Sequence, residues 1–349
     1  MPTNGHFNGI DFVTLGMLII DDIYPPPSAQ DQTPQKDILG GAGTFSALGA
    51  RLFSPPPTSQ AVGWIVDQGT DFPAELRDLI ISWNTGILFR DRSPGELTTR
   101  GWNGYSENDH RAFKYLTAKK RLMADDLTTE LLGSKSFHLI CSPTRCIDMI
   151  KRILERQIET FGPECERPMI IWEPVPDLCV PAELNNTYNA LQYVDVISPN
   201  HEELGALFHF THSSGVDRKA VESQVNKLLA CGIGPTNDGS VVVRAGKEGC
   251  FVANLEKRKW LPAYYQDSSR VVDPTGGGNG FLGGFAVGLV RSGGDVVEAA
   301  RWGCVAASFC IEQVGVPSLQ TVVSTSTCTD ELWNDESVID RLEEYRRRT

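Results

Sequence analysis

Val271-Val272-Asp273-Pro274-Thr275-Gly276-Gly277-Gly278-Asn279-Gly280-Phe281-Leu282-Gly283-Gly284 is the stretch whose reading decides the fold. Three consecutive glycines run into Gly-Phe-Leu-Gly-Gly-Phe-Ala-Val-Gly-Leu-Val, which reads as a tight turn feeding an apolar helix. Glycines there let the backbone approach a ligand closely. The free N–H groups at the helix start, on the positive end of its dipole, make an anion site. A plainer alternative is a Gly-rich turn whose glycines serve only close helix packing. Residues 278–283 also match Gly-x-Gly-x-x-Gly, so a dinucleotide-binding oxidoreductase has to be weighed. That fingerprint should open a βαβ unit with a further strand about 20–30 residues on. Here a second Ala-rich helical stretch, residues 296–314, follows instead, and the context disfavours an oxidoreductase.

Outward from this loop, the chain of 349 residues, 41% hydrophobic, is long enough to bury a large α/β core. Its 44 acidic and 32 basic side chains leave a formal charge of −12, a field that repels a phosphate backbone and argues against a nucleic-acid partner. Arg346-Arg347-Arg348 closes an acidic-to-basic segment, residues 330–349, that reads as a C-terminal helix with charges matched to its dipole. Nine cysteines occur, none as Cys-x-x-Cys and several inside apolar runs, which is the usage of a reducing compartment. The six histidines have no ligand-like spacing to them, so no zinc site is expected. The apolar run 12–20 is too short to cross a bilayer and lacks a basic region before it. Neither a membrane partner nor a signal peptide is expected, and the location reads as cytoplasmic.

Residues 12–20, 60–65, 135–141, 168–172, 193–197 and 239–244 are near-continuous apolar runs bounded by turn residues, the signature of buried strands. Helical patterns lie between them at 45–53, 74–82, 124–132, 146–161, 202–208 and 217–231. Strand, helix, strand in series predicts a mostly parallel sheet with helices on both faces and a site at the carboxyl ends of the strands. Two regions break this rhythm, the Pro-rich segment 23–39 and segment 86–118 with its short alternating stretches. They predict a small β lid over the strand ends.

Several motifs recur in a fixed order. Gly16 and Asp21 end the first strand, Gly40-Gly41 starts a helix, and Val62-Gly63-Trp64-Ile65-Val66-Asp67 ends the second strand. Asn200-His201-Glu202-Glu203 follows a later strand. Val241-Val242-Val243-Arg244-Ala245-Gly246-Lys247-Glu248-Gly249 forms a strand and turn, and the glycine loop comes next. On these motifs the sequence resembles the ribokinase (PfkB) family of ATP-dependent sugar and nucleoside kinases over nearly the whole chain. The closing motif is most like that of the fungal "maintenance of killer" branch, where Asp-Pro-Thr-Gly-Gly-Gly-Asn replaces the commoner Asp-Thr-x-Gly-Ala-Gly-Asp. The resemblance implies a ribokinase-like three-layer α/β/α sandwich over residues 1–349, one domain with a β lid. It also implies ATP and Mg2+ as cofactors and a small-molecule alcohol as acceptor.

Carried over position by position, Gly276, Gly277 and Gly278 resemble the anion hole that steadies the transferred phosphoryl group. Asn200 and Glu203 match Asn-x-x-Glu, which organises Mg2+ and its waters. Arg244 and Gly246 border the nucleotide. Asp273 and Thr275 match a loop that in many members supports a monovalent cation such as K+. Asp21, with Gly40 and Gly41, falls where the family contacts substrate hydroxyls.

Two positions depart from the pattern. Asn279 stands where the family has its catalytic Asp, and Phe45 where it has a sugar-contacting Asn. An amide has no usable basic lone pair near neutral pH, so Asn279 removes no proton from an acceptor hydroxyl. General-base catalysis is worth roughly 10²–10⁴-fold, whereas clamping and positioning carry most of phosphoryl transfer. A crippled kinase and a nucleotide-binding pseudokinase both follow from this, with the complete anion hole favouring the kinase. Asn279-Gly280 is also the dipeptide most prone to deamidation, although a helix start hinders the backbone geometry that reaction needs.

Remaining candidates have bland readings beside the functional ones. Glu173 ends a strand and reads as a loop cap or a substitute base, His138 as a core histidine, and His201 as a cap. Trp102 and Tyr105 fit either substrate stacking or a lid-mediated homodimer. Arg100 and Arg111 fit either an anionic acceptor or an edge kept polar.

Overall fold

The run Val62–Gln68, VGWIVDQ, is buried along almost its whole length, as an apolar stretch without alternation must be when both sheet faces are covered. It lies in a nine-stranded sheet of the computed structural model, which describes residues 9–25, 32–105, 111–212, 215–323 and 329–349. Pro26, Pro27 and Cys328 fall outside these residues, as do the side chains of Tyr105 and Arg111. From one edge the sheet runs Arg258–Leu261, Cys250–Ala253, Ser240–Arg244, Val196–Ile197, Met169–Pro174, Ser136–Cys141, Phe12–Thr14, Val62–Gln68 and Gly86–Asp91. Neighbours are parallel from Ser240–Arg244 onward, and the first two strands pair antiparallel as an edge hairpin.

Helices cover both faces. Helices Ala42–Leu52, Gly277–Arg291, Val296–Cys310 and Val338–Arg348 put Leu48, Phe285, Ala299 and Leu342 into one apolar cluster with Trp64 and Val66. On the opposite face Pro143–Phe161, Leu184–Leu191 and Arg218–Ala230 put Ile150, Leu191 and Leu228 into a second cluster with Ile65 and Val243. Adjacent strand residues therefore feed opposite cores, as the two-residue strand period requires. This is the ribokinase-like α/β fold that the sequence predicts.

Four expectations need correction. Residues 12–20 are not one strand. Phe12–Thr14 belongs to the large sheet, and the chain turns away at Gly16, where a β-carbon would come within 2.6 Å of the Gly43 backbone nitrogen. It resumes as Ile19–Tyr24 in a separate four-stranded sheet of order Gln35–Gly40, Ile19–Tyr24, Arg100–Tyr105, Arg111–Tyr115. Asp21 consequently sits on this smaller sheet. Gly86–Asp91 lies at the edge of the large sheet, paired with Val62–Gln68, and not in the smaller one. Residues 124–132 split into a 3₁₀ turn, Ala124–Asp126, and a short helix, Thr129–Leu132, because Thr128 Oγ1 accepts the Leu131 N–H at 3.3 Å and starts the helix late.

Finally, the C-terminal helix begins only at Val338. Thr329–Trp333 pairs antiparallel with Leu319–Val323, and places Glu331 in a two-pronged pair with the buried Arg51 at 2.6 and 2.7 Å. Among the described residues no helix is long and apolar enough to cross a membrane. The described cysteines are all unbonded, with Cys250 and Cys304 in contact at 3.8 Å between sulfurs.

Candidate active site

The glycine loop ends as the start of helix Gly277–Arg291. Gly276 caps it in the left-handed region, φ 83°, a conformation glycine adopts at no steric cost. Pro274 and Thr275 lead in, with Thr275 N–H donating to Asp273 Oδ1 at 2.9 Å. Gly277 and Gly278 then face a cavity of about 600 Å³, whose wall includes Arg244, Gly246, Lys247, Tyr264 and Ser308. The glycines further along serve packing. A β-carbon on Gly283 would lie 1.9 Å from Ser46 O, and one on Gly280 2.5 Å from Cys310 Sγ. The first half of the motif thus faces the cavity, and the second half packs helix against helix.

Arg244 ends strand Ser240–Arg244 and brings its guanidinium against the loop. A β-carbon on Gly278 would come within 2.3 Å of Arg244 Nη1. Two carboxylates flank the same guanidinium, Glu173 at 2.8 Å and Glu203 at 3.5 Å, and Arg244 Nη2 also donates to Ser198 O at 3.1 Å. Burial would raise the Glu173 carboxyl, but Arg244 and then His138 outweigh it and hold Glu173 below the usual carboxylate range. Glu203 goes the other way. Burial pushes it up to about 7, against the pull of Arg244 and with the help of Glu173.

Asn200 and Glu203 cap helix His201–Leu207 reciprocally. Glu203 N–H donates to Asn200 Oδ1 at 2.8 Å, and Asn200 N–H to Glu203 Oε2 at 2.7 Å. The cap is Asn200, so His201 does not cap as expected; its ring packs edge-on against His212. Glu203 beside the cavity-facing Arg244 fits a hydrated Mg2+, which keeps several waters and leans on phosphate oxygens. Among the described residues no cluster of three or more acidic, His or Cys side chains forms a protein-only cage.

On the other side of the loop, Asp21, Gly40, Phe45, Asp273 and Thr275 line a second cavity of only about 10 Å³. That is close to the least space one water needs. Phe45 is 2% exposed and fills the space against Gly276. Gly40 gives Asp21 its place, since a β-carbon there would lie 2.2 Å from Asp21 Oδ2. Gly41 lines neither cavity; it takes φ 90° to start helix Ala42–Leu52.

Glu173 is central rather than a loop cap. It accepts from Asn279 Nδ2 at 2.7 Å and from His138 Nε2 at 3.2 Å, while Ser46 Oγ and Thr14 Oγ1 hold His138 Nδ1 at 3.0 and 3.3 Å. His138 is therefore fully buried and paired toward the loop. The signal for this was a lone acid ending the apolar strand Met169–Pro174, in register beside the strand that carries His138. Tyr264, Tyr265 and Cys304 of the large cavity carried no signal in the sequence. Arg100 is neutralised by Asp37 at 2.7 Å and Asp71 at 2.6 Å, and Trp102 packs on Tyr24 and under Lys114.

The glycine turn opens helix Gly277–Arg291 beside this cavity, on a sheet of the ribokinase-like fold. The chain belongs to the pfkB family, whose carbohydrate kinase model matches residues 174–321. It is 35% identical to an uncharacterized protein of Schizosaccharomyces pombe, over 96% of this chain and 92% of that protein. To the MAK32 protein of Saccharomyces cerevisiae it is 36% identical, over 95% of this chain and 91% of that one. Among solved structures, ribokinase from Giardia lamblia superposes with a TM-score of 0.70 at 17% identity, covering 96% of this chain and 99% of that one. A ribokinase II chain from E. coli, solved with ATP and Mg2+, gives 0.63 at 16% identity, covering 97% and 100%.

Proposed function

We propose that this protein binds ATP with Mg2+ in the large cavity and moves its γ-phosphoryl group to an alcohol of a sugar- or nucleoside-like acceptor, slowly, because position 279 supplies no base. The observation that carries this is the turn at Gly276, Gly277 and Gly278 under the Arg244 guanidinium. Main-chain donors and a fixed positive charge meet there at one helix mouth, the arrangement that stabilises charge on a transferring phosphoryl group. Asn200 and Glu203 hold the hydrated magnesium, which neutralises charge on the phosphates when bound. The turn between Asp273 and Thr275 is the counterpart of the monovalent-cation loop. Asn279 accepts a hydrogen bond from the acceptor hydroxyl and orients it, while the proton leaves to solvent. The lost base costs roughly 10²–10⁴-fold.

One observation favours a second reading, a nucleotide-binding scaffold without turnover: Phe45 fills the acceptor side, leaving about 10 Å³. Measuring ADP release with a panel of sugars, polyols and nucleosides separates the two. Transfer predicts slow release that depends on the acceptor. Release that never exceeds the acceptor-free rate, in protein that binds ATP, rejects transfer in favour of the scaffold.

A further inference from the structure

Asn279 meets Glu173 through one bond, Nδ2 to Oε2 at 2.7 Å. An ionised carboxylate only accepts hydrogen bonds, so the amide must turn its NH2 toward Glu173, and Oδ1 is left as the end available to a ligand. Both oxygens of Glu173 are engaged. Oε1 takes Arg244 Nη2 at 2.8 Å, and Oε2 takes His138 Nε2 at 3.2 Å together with the amide. His138 is itself fixed by Ser46 and Thr14. A carboxylate so thoroughly bonded, and held below its usual range, is a poor proton acceptor but a firm anchor.

We propose that Glu173 is the positioning residue for Asn279, and that its negative charge is what excludes a carboxylate at position 279. The proposal rests on the reading of position 279 as the acceptor-facing position of a phosphoryl-transfer site. An aspartate there would set two carboxylates at hydrogen-bond distance, and such a pair shares a proton before both members ionise. The charged and titratable groups around Glu173 are Arg244, His138, Cys179 and, beyond Arg244, Glu203. Arg244 already serves both glutamates and cannot fully balance a third acid. The exchange that restores a working base is therefore the double one, Asn279→Asp with Glu173→Gln, which transposes acid and amide and keeps the hydrogen bond between them.

The test compares wild type, Asn279→Asp, Glu173→Gln and the double variant in the full chain. Unfolding by denaturant is followed at about pH 5 and about pH 8, since the shared proton is retained by the folded state above the unfolded carboxylate value near 4. Stability held at low pH is then lost as pH rises. Asn279→Asp should lose stability relative to wild type between the two pH values, and the double variant should not. In ADP release with an active acceptor, the double variant should exceed Asn279→Asp by at least about tenfold at neutral pH. Asn279→Asp should reach its plateau only at higher pH. An Asn279→Asp protein whose stability tracks wild type at both pH values overturns the proposal, as do superimposable pH profiles for it and the double variant. If no variant turns over ATP, the phosphotransfer reading fails while the stability comparison still decides the pairing. That comparison needs only Asn279→Asp and wild type, so it survives a Glu173→Gln chain that does not fold.

Discussion

The Phe45 ring lies against the backbone of Gly276, so close that a β-carbon on the glycine would fall 2.4 Å from three ring atoms. Phe45 is thus the wall that shapes the glycine loop. Gly276→Ala meets two penalties, the ring and a φ of 83°. It should cost about 3 kcal/mol, read by urea denaturation. Most of the steric part should vanish in a Phe45→Asn background, and a coupling energy near zero in the double-mutant cycle would refute the contact.

Gly278→Ala should behave differently. Its β-carbon would meet Arg244 Nη1 at 2.3 Å, the end of a flexible side chain that can move. Stability should change by less than about 1 kcal/mol. Displacing the guanidinium from the loop should nevertheless weaken ADP binding by about tenfold or more, measured by calorimetry.

Glu203 gives the ligand-free protein a pH signature. Its carboxyl is raised to about 7 by burial, so between the unfolded value near 4.5 and that point the folded state holds a proton the unfolded chain has released. Stability should fall as pH rises across this window, by up to about 3 kcal/mol. Glu203→Gln should flatten the curve, and a wild-type curve already flat from pH 5 to about 7.5 would contradict the raised value.

Asn279 should stay amidated in the folded protein. Deamidation needs the following backbone nitrogen free to attack, but Gly280 N–H donates to Gly276 O at 2.8 Å inside the helix, and the side chain is held by Glu173. Peptide mass spectrometry of aged native protein should find no deamidation at this pair, while urea-unfolded protein should accumulate it.

The large sheet was legible because its strands are unbroken apolar runs, and the loop because three glycines before an apolar helix have few other uses. Local patterns were silent where tertiary contacts decide. The break at Gly16 is forced by a helix start arriving from residue 43, and the strand at Thr329–Trp333 by the buried Arg51 waiting for Glu331. Short strands such as Cys250–Ala253 and Arg258–Leu261 carry no period long enough to read. In the site, Asn200, Glu203 and Arg244 are legible only through the resemblance of their motifs to the family's, and the glycines also through the turn-to-helix pattern itself. Glu173 and His138 were underrated because the partner that gives each its role lies more than thirty residues away, beyond the reach of any local motif.

The central claim is that Gly277, Gly278 and Arg244 together hold nucleotide phosphates, and titration calorimetry of the full chain with ATP and ADP in the presence of magnesium tests it most directly. Saturable binding at one site, weakened by Gly278→Ala, is the predicted result. An absence of binding by both nucleotides in folded protein, or binding that Gly278→Ala leaves unchanged, would contradict it.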